Sequence, residues 1–291
     1  MTISHDRSTL PTVVDGALVR PALRADAATR YCISADEDLL PPPAMMLREE
    51  IDSVLEDWLA WGVEWTLLLR AFGGLRASSR VLDLGCGLGR VAFPLRRALV
   101  DGTYDGVDVV REKIDFLRER FTPRYPAFRF HLLDVANTAY NPGGAVAHDG
   151  DISLPFDDRS FDVVIGASLF THLVPITARR YLAEIGRLLA DGGRCTLSLF
   201  LLDVFDEGRP RTGLSAGEAF SFAHRYTDEA GAVAVSSLES PELMVAWPLG
   251  LLEPLAAAAG LRLVSPPRLG QWSGAAADWT WWQDLVVLER S

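Results

Sequence analysis

The stretch VLDLGCGLGR, residues 81–90, decides the fold. Its apolar start is typical of a buried strand, three glycines follow, and the apolar residues from Val91 to Val100 then recur at helical spacing. Glycines at such a turn lack a Cβ, so a ligand can approach the backbone closely. The helix that follows presents unpaired N–H groups at its start. The sequence therefore predicts a ligand-binding strand–loop–helix unit.

The spacing of the glycines indicates which ligand the loop accepts. A dinucleotide fingerprint reads G-x-G-x-x-G, whereas Gly85, Gly87 and Gly89 give G-x-G-x-G, and Asp83 precedes them. A carboxylate at that position would repel a pyrophosphate but suits a ligand with an ammonium group. S-adenosylmethionine has that group, a ribose and no phosphate. The spacing thus favours S-adenosylmethionine and disfavours an NAD-dependent dehydrogenase, which is a distant alternative.

Two further acids stand at the ends of predicted strands. Asp108 follows Asp83 by 25 residues, where a carboxylate can accept hydrogen bonds from both ribose hydroxyls. Asp134 ends the next strand and can accept a hydrogen bond from the adenine amine, with the backbone N–H of Val135 directed to the ring. We therefore expect both residues to bind the adenosyl part of the ligand.

Strand-like and helix-like segments alternate along the chain, which predicts a sheet with helices on both faces. The expected strands are residues 80–84, 104–107, 128–133, 161–166, 194–201, 261–264 and 285–288. The expected helices are residues 47–70, 91–100 and 111–121, a helix around Tyr181 to Leu189 that ends at Gly192-Gly193, and residues 248–259.

The domain organisation is predicted from changes in this pattern. Residues 1–75 are interpreted as an N-terminal extension and cap helix, with an extended entry up to residue 46. Residues 76–291 are interpreted as the ligand-binding domain, in which the polar segment 202–247 is an insertion that forms a lid over the site.

Composition excludes several classes of protein. The 291 residues are 49% apolar with a net charge of −11, and an acidic surface repels nucleic acid. No apolar run reaches the ~18 residues of a membrane-spanning helix. The three widely spaced cysteines fit neither a disulfide framework nor a zinc site, and the first sixteen residues do not resemble a secretory signal. We therefore expect a cytoplasmic protein that binds neither nucleic acid nor membrane.

Several motifs occur in an order that resembles class I S-adenosylmethionine-dependent methyltransferases. They are VLDLGCGLGR, the acid in YDGVD, the strand end LLDV, LPFDDRSFDVVIGASLFTHL and LLADGGRCTLSL, over about residues 80–200. YNPGG (140–144) and the late WSG and QD further resemble bacterial members that modify small metabolites or sugars. The resemblance implies a Rossmann-like α/β fold with a seven-stranded, mostly parallel sheet, an antiparallel last strand, helices on both faces and an N-terminal helical cap.

The resemblance also implies roles for individual residues. The three loop glycines would face the methionine part of S-adenosylmethionine, Asp108 the ribose and Asp134 the adenine. Ser168 and Leu169, after the fourth strand, would contact the cofactor near its sulfur. The full set expected to bind the cofactor is Asp83, Gly85, Cys86, Gly87, Gly89, Asp108, Val109, Asp134, Val135, Ser168 and Leu169. Cys86 is expected to be a small filler rather than a nucleophile.

The acceptor side is less defined. His172, a few residues after the fourth strand, is the preferred general base, should the acceptor need to lose a proton. His224, Tyr226 and Trp272 are candidates for substrate contact, and a small, partly apolar acceptor fits the aromatic residues of the insertion. Residues 167–170 offer no metal ligands, so we expect metal-independent methylation. Two alternatives stay open: another use of S-adenosylmethionine, such as cyclisation, and a non-catalytic partner protein with the same fold.

Overall fold

A ten-stranded sheet organises the part of the chain that the computed structural model describes, namely residues 36–47, 55–137, 140–146, 152–204, 222–273 and 281–291. Its strands are β1 Arg80–Leu84, β2 Thr103–Asp108, β3 Phe128–Leu132, β4 Phe161–Gly166, β5 Leu189–Leu201, β6 His224–Asp228, β7 Gly231–Val235, β8 Val245–Trp247, β9 Leu261–Leu263 and β10 Asp284–Arg290.

Six α-helices accompany the sheet in the same described residues. They are α1 Pro43–Met46, α2 Leu55–Ala71, α3 Ala92–Ala98, α4 Arg111–Arg120, α5 Pro175–Leu188 and α6 Leu249–Ala258. Short 3-10 turns cover Glu37–Leu39, Phe170–His172, Leu202–Val204 and Pro241–Leu243. None of the described helices is long and apolar enough to cross a membrane.

The order of the strands fixes where a ligand can bind. Five strands run parallel in the order β3-β2-β1-β4-β5, so their carboxyl ends lie at one edge. The chain leaves β1 for β2 on one side and later returns to β4 on the other. Open α/β sheets bind ligands outside the carboxyl ends at such a reversal. The loops after β1, β2, β3 and β4 therefore meet at the candidate site.

Beyond β5 the sheet divides. β10 pairs antiparallel with residues 194–199 of β5 and with β9, which confirms the predicted antiparallel last strand. β8 pairs with Phe200 and Leu201 of β5, and β7 and β6 continue outward from it. The fold class is thus confirmed, but the predicted count of seven strands is wrong, because β6 to β8 come from the segment interpreted as a lid. The proposed domain division and the lid itself stay predictions.

Helices cover both faces of the sheet, as predicted. On one face, α5 and α6 pack against Leu82, Val164 and Leu197. On the other, α2, α3 and α4 pack against Val81 and Val163. Trp58 and Trp65 of α2 are fully buried there, so this helix belongs to the core of the domain.

Two local predictions were wrong. Gly192-Gly193 does not end a helix: α5 ends at Leu188, and Leu189 already pairs with Phe161 of β4. Gly192, at φ +76°, lies in β5 where its register with β4 shifts. Residues 43–46 form a helical turn instead of extended chain, and a proline is tolerated at its first position because that N–H has no helical partner.

Candidate functional site

Asp83 lies at the end of β1 beneath the glycine loop, with only 1% of its surface exposed. The hydroxyl of Tyr104 donates a hydrogen bond of 2.5 Å to its Oδ2. Its Oδ1 is buried and has no hydrogen-bond partner among the described residues. Burial raises the pKa of Asp83 to about 7. A buried carboxylate oxygen without a donor is suited to receive one from a ligand.

The glycine loop is held against β2. The backbone N–H groups of Gly85 and Cys86 both donate to the carbonyl of Val107, at 2.8 and 3.0 Å. Gly85, Gly87 and Gly89 all have positive φ. A Cβ on Gly87 would meet nothing within 4 Å, so the loop borders open space at this residue. The side chain of Cys86 is buried and packs close to Gly106, which fits the predicted role of a filler.

Asp108 joins the end of β2 to that loop. Its Oδ2 accepts the N–H of Gly87 at 2.8 Å, and its Oδ1 accepts the N–H of Val110 at 2.9 Å. The side chain therefore fixes the loop. Each carboxylate oxygen can accept a second hydrogen bond, so both remain able to receive a ribose hydroxyl. Val109 beside it is half-buried against the core.

The residues after β3 are held by an asparagine. Asp134 is exposed, and its Oδ1 accepts a hydrogen bond of 3.2 Å from Asn141, which also donates to the carbonyl of Val135. The N–H of Val135 donates to the carbonyl of Leu133 at 2.9 Å. That donor was predicted to bind adenine, and here it is engaged within the chain. An adenine ring would have to share or replace this bond.

Ser168, after β4, has an unusual backbone conformation for a residue other than glycine, with φ +61°. Its N–H donates to Ser198 Oγ at 2.8 Å, and its hydroxyl donates to Gln283 Oε1 at 2.9 Å. Ser198 donates to the same oxygen at 2.6 Å. Ser198 of β5 and Gln283, directly before β10, thus hold the turn that carries Leu169, whose side chain lies close to Gly85.

His172 forms a hydrogen-bonded pair that the sequence analysis missed. Its Nδ1 lies 3.1 Å from the backbone carbonyl of Glu242, and its Nε2 lies 3.3 Å from the hydroxyl of Tyr140. The two rings also meet edge to face, with centroids 5.1 Å apart. Burial lowers the pKa of the imidazole below its ordinary value. Tyr140 belongs to the YNPGG segment, but no sequence spacing connects it with a histidine 32 residues away.

The structure separates the three residues predicted to contact the substrate. Tyr226 on β6 is half-buried against the core, and the charge of Glu242 acts on it. His224 is exposed on the outermost strand. Trp272 is fully buried among aromatic side chains, and its indole N–H donates to Asp284 at 2.6 Å.

The chemistry of this cleft fits an adenosyl sulfonium. Asp83 and Asp108 place two carboxylates beside the loop, where they would stabilise an ammonium or sulfonium group and oppose a pyrophosphate. The open space at Gly87 and the unpartnered Oδ1 of Asp83 leave room and a hydrogen-bond acceptor for such a ligand.

Comparison with known proteins agrees with this geometry. A family model described as a methyltransferase domain matches residues 81–193, which span β1 to the start of β5. This segment is a methyltransferase domain. The motifs and topology of the domain are those of the class I S-adenosylmethionine-dependent family, whose cofactor is S-adenosylmethionine.

Curated relatives resemble the methyltransferase domain over a limited stretch. A phthiotriol/phenolphthiotriol dimycocerosates methyltransferase of Mycobacterium tuberculosis is 35% identical over 114 residues, 39% of this chain and 35% of that protein. A fatty-acid O-methyltransferase of Mycolicibacterium smegmatis is 33% identical over 115 residues, 39% of this chain and 34% of that protein. The match thus covers about a third of the length of each relative.

A solved structure extends the likeness in fold beyond the methyltransferase domain. The CcbJ methyltransferase from Streptomyces caelestis superposes with a TM-score of 0.50 at 20% identity, covering 92% of this chain and 98% of that one. At this level of identity the likeness establishes the fold alone.

Proposed function

We propose that this chain transfers the methyl group of S-adenosylmethionine to a small, partly apolar acceptor without a metal ion. The observation that carries the proposal is the cleft beside Gly87, bordered by Asp83 and Asp108 and lying within the methyltransferase domain. The cofactor supplies an activated methyl group on a positively charged sulfur. The chain's own task is to hold the acceptor in line with that methyl group.

The acceptor class is inferred from the acceptor side of the cleft. Tyr140 and Leu243, on either side of His172 and its Glu242 partner, are 43% and 50% exposed. Their apolar surfaces support an acceptor with an apolar body and a polar reacting group. The two relatives named for phthiotriol/phenolphthiotriol dimycocerosates and for fatty acids support the same class. The net charge of −11 argues against a nucleic acid as the acceptor. Two buried free thiols, Cys86 and Cys195, support a cytoplasmic setting.

Product analysis tests the proposal. The purified chain would be incubated with S-adenosylmethionine and a panel of fatty acids, fatty alcohols, phenols and hydroxylated metabolites, with chromatographic detection of the adenosyl product. Methyl transfer predicts S-adenosylhomocysteine together with a methylated acceptor. Methylthioadenosine would indicate cyclisation instead, and tight binding of S-adenosylhomocysteine without any product would indicate a non-catalytic protein.

A variant of the proposed base completes the test. Because the hydrogen bonds of the His172 ring go to Tyr140 and Glu242, outside the glycine loop, His172→Ala should slow methyl transfer by about 100-fold or more while S-adenosylhomocysteine binds with unchanged affinity in calorimetry. Equal turnover by the variant would remove His172 from the reaction.

A further inference from the structure

The Tyr140–His172 pair has a defined direction of hydrogen bonding. A backbone carbonyl can only accept, so the contact with Glu242 places the imidazole proton on Nδ1. A neutral imidazole carries one N–H, which makes Nε2 an acceptor. Tyr140 must then donate its hydroxyl proton to His172 Nε2, at 3.3 Å.

Hydrogen bonds to backbone groups hold the Tyr140–His172 pair in place. Asn137 is buried; its Oδ1 accepts the N–H of Tyr140 at 2.9 Å, and its side-chain amide donates to the carbonyl of His172 at 3.3 Å. Asn137 and Asn141 also exchange two backbone hydrogen bonds of 3.0 Å, which close the turn that carries Tyr140. The tyrosine is thus held against the histidine from both sides of the turn.

A cation lies beside the pair. The ammonium of Lys113, in α4, is 5.7 Å from the centroid of the Tyr140 ring, within the range of a cation–π contact. Tyr140 follows β3 and His172 follows β4, so the pair lies at the same carboxyl edge of the sheet as the glycine loop that follows β1. A positive charge at this place would stabilise negative charge that develops on the phenolic oxygen.

We propose that Tyr140 is a second catalytic residue, which takes the acceptor's proton while passing its own to His172. The inference rests on the proposed methyl transfer. As the acceptor oxygen bonds to the methyl carbon, the carbon–sulfur bond breaks and its electron pair stays on sulfur. The acceptor's proton moves to the Tyr140 oxygen, and the tyrosine proton moves to His172 Nε2. The resulting imidazolium keeps its Nδ1–H on the carbonyl of Glu242 and later releases the extra proton to water.

This relay explains the exposure of the two residues. Tyr140 is 43% exposed, whereas His172 is only partly exposed and is bonded to Tyr140 and to the carbonyl of Glu242. An acceptor entering from solvent therefore meets the phenol first. A direct reaction at His172 Nε2 would require its hydrogen bond with Tyr140 to break.

Nuclear magnetic resonance of the histidine ring nitrogens tests the arrangement without any turnover. The chain holds five histidines, and His172→Asn assigns the resonance while its amide can still donate to the Glu242 carbonyl. The wild type should show an unprotonated, hydrogen-bonded Nε2. Tyr140→Phe should shift that resonance to its unbonded position, and Tyr125→Phe, which removes a hydroxyl bonded to Asp36 at 2.9 Å, should not. A protonated Nε2, or no shift in Tyr140→Phe, would overturn the relay.

Kinetics then test the catalytic role with two acceptors of one carbon skeleton. Decanol must lose a proton, whereas decanoate is already an anion. If Tyr140 relays a proton, Tyr140→Phe should slow methylation of decanol by about 100-fold or more and change that of decanoate by less than about threefold. Equal losses on both acceptors, or no loss on decanol, would show a structural role and overturn the proposal.

The two arms separate the relay from the proposed function. A hydrogen bond confirmed by resonance in a wild-type chain that methylates neither decanol nor decanoate, nor any acceptor of the wider panel, counts against methyl transfer and the catalytic role together. If the wild type methylates an acceptor and Tyr140→Phe changes neither the His172 resonance nor the rate on decanol, the result counts against the relay alone.

Discussion

The hydroxyl of Tyr104 donates a hydrogen bond of 2.5 Å to the buried carboxylate of Asp83. The second oxygen of Asp83 has no hydrogen-bond partner among the described residues. Burial raises the pKa of Asp83 to about 7. A carboxyl with a raised pKa binds its proton more tightly in the folded state than in the unfolded state. Stability should therefore fall as pH rises from about 4 to about 7, by at most about 1.4 kcal/mol per pH unit from this group.

Cofactor affinity should change with pH in the opposite direction. An ionised Asp83 binds an ammonium group better than a protonated one does, so affinity for S-adenosylhomocysteine should rise as pH passes through about 7. Asp83→Asn should flatten both profiles. Urea unfolding and calorimetry at pH 5 to 8 measure the two slopes. If stability and affinity changed in the same direction with pH, the role assigned to Asp83 would be contradicted. The same holds if either pH dependence persisted in Asp83→Asn.

Substitution of Gly87 should separate binding from folding. Gly87 and Gly192 both have positive φ, at +56° and +76°, and a Cβ on either would meet nothing within 4 Å. Alanine at either position therefore costs a similar backbone strain of about 1–2 kcal/mol. We expect only Gly87→Ala to weaken binding of S-adenosylhomocysteine. The loss of affinity should be tenfold or more, and tenfold corresponds to about 1.4 kcal/mol. Equal affinities of the two variants would place the ligand elsewhere.

Asp108 should be sensitive even to a conservative change. Asparagine has one oxygen in place of two, so Asp108→Asn must lose the hydrogen bond from Gly87 or the one from Val110. Loss of hydrogen bonds to a charged group should weaken cofactor binding by about 1.5–3 kcal/mol.

Asp105 provides the matched control on the same strand. Its carboxylate is bonded to Arg129 and His131 on the other face of β2. Asp105→Asn should lower stability without changing the affinity for S-adenosylhomocysteine, as measured by calorimetry. An Asp108→Asn variant that binds as well as Asp105→Asn would remove Asp108 from the cofactor site.

Trp272 is expected to act in the core rather than on the acceptor. Its indole N–H donates to Asp284, whose carboxylate also accepts from Leu201 and Gly270. Trp272→Phe removes that bond and should lower the free energy of unfolding by about 2–3 kcal/mol. Trp58→Phe should cost less, because the buried indole N–H of Trp58 has no hydrogen-bond partner in the described structure. A raised acceptor KM with an unchanged urea midpoint would instead support substrate contact.

The half of the candidate site that is proposed to bind the cofactor could be predicted because the sequence signals for it lie close together in the chain. A buried strand, three glycines and acids at successive strand ends specify β1, the loop and Asp108 within a few dozen residues. The strands from β1 to β5 were placed to within a few residues, except for the start of β5. There Leu189 pairs with β4 before Gly192 is reached, so the glycines serve the strand rather than the end of the helix.

The half proposed to bind the acceptor depends on contacts between distant parts of the chain. Tyr140 meets His172 across 32 residues, and the carbonyl of Glu242 reaches it across 70. Neither contact produces a periodic pattern of residues that could be recognised in the sequence. Strand β6 was missed for a different reason. Its residues, HRYTD, are mostly exposed at the edge of the sheet and lack the alternation of apolar and polar side chains that marks a strand.

The carbonyl of Glu242 lies outside the segment 81–193 that the methyltransferase family shares. The carbonyl that holds the proposed base is therefore encoded apart from the segment proposed to bind the cofactor. Under the proposed function, mutations between β6 and β8 would alter which acceptors react while the proposed cofactor site stays intact. Substitutions at one edge of the sheet would then be enough to redirect the proposed methyl transfer to a new acceptor.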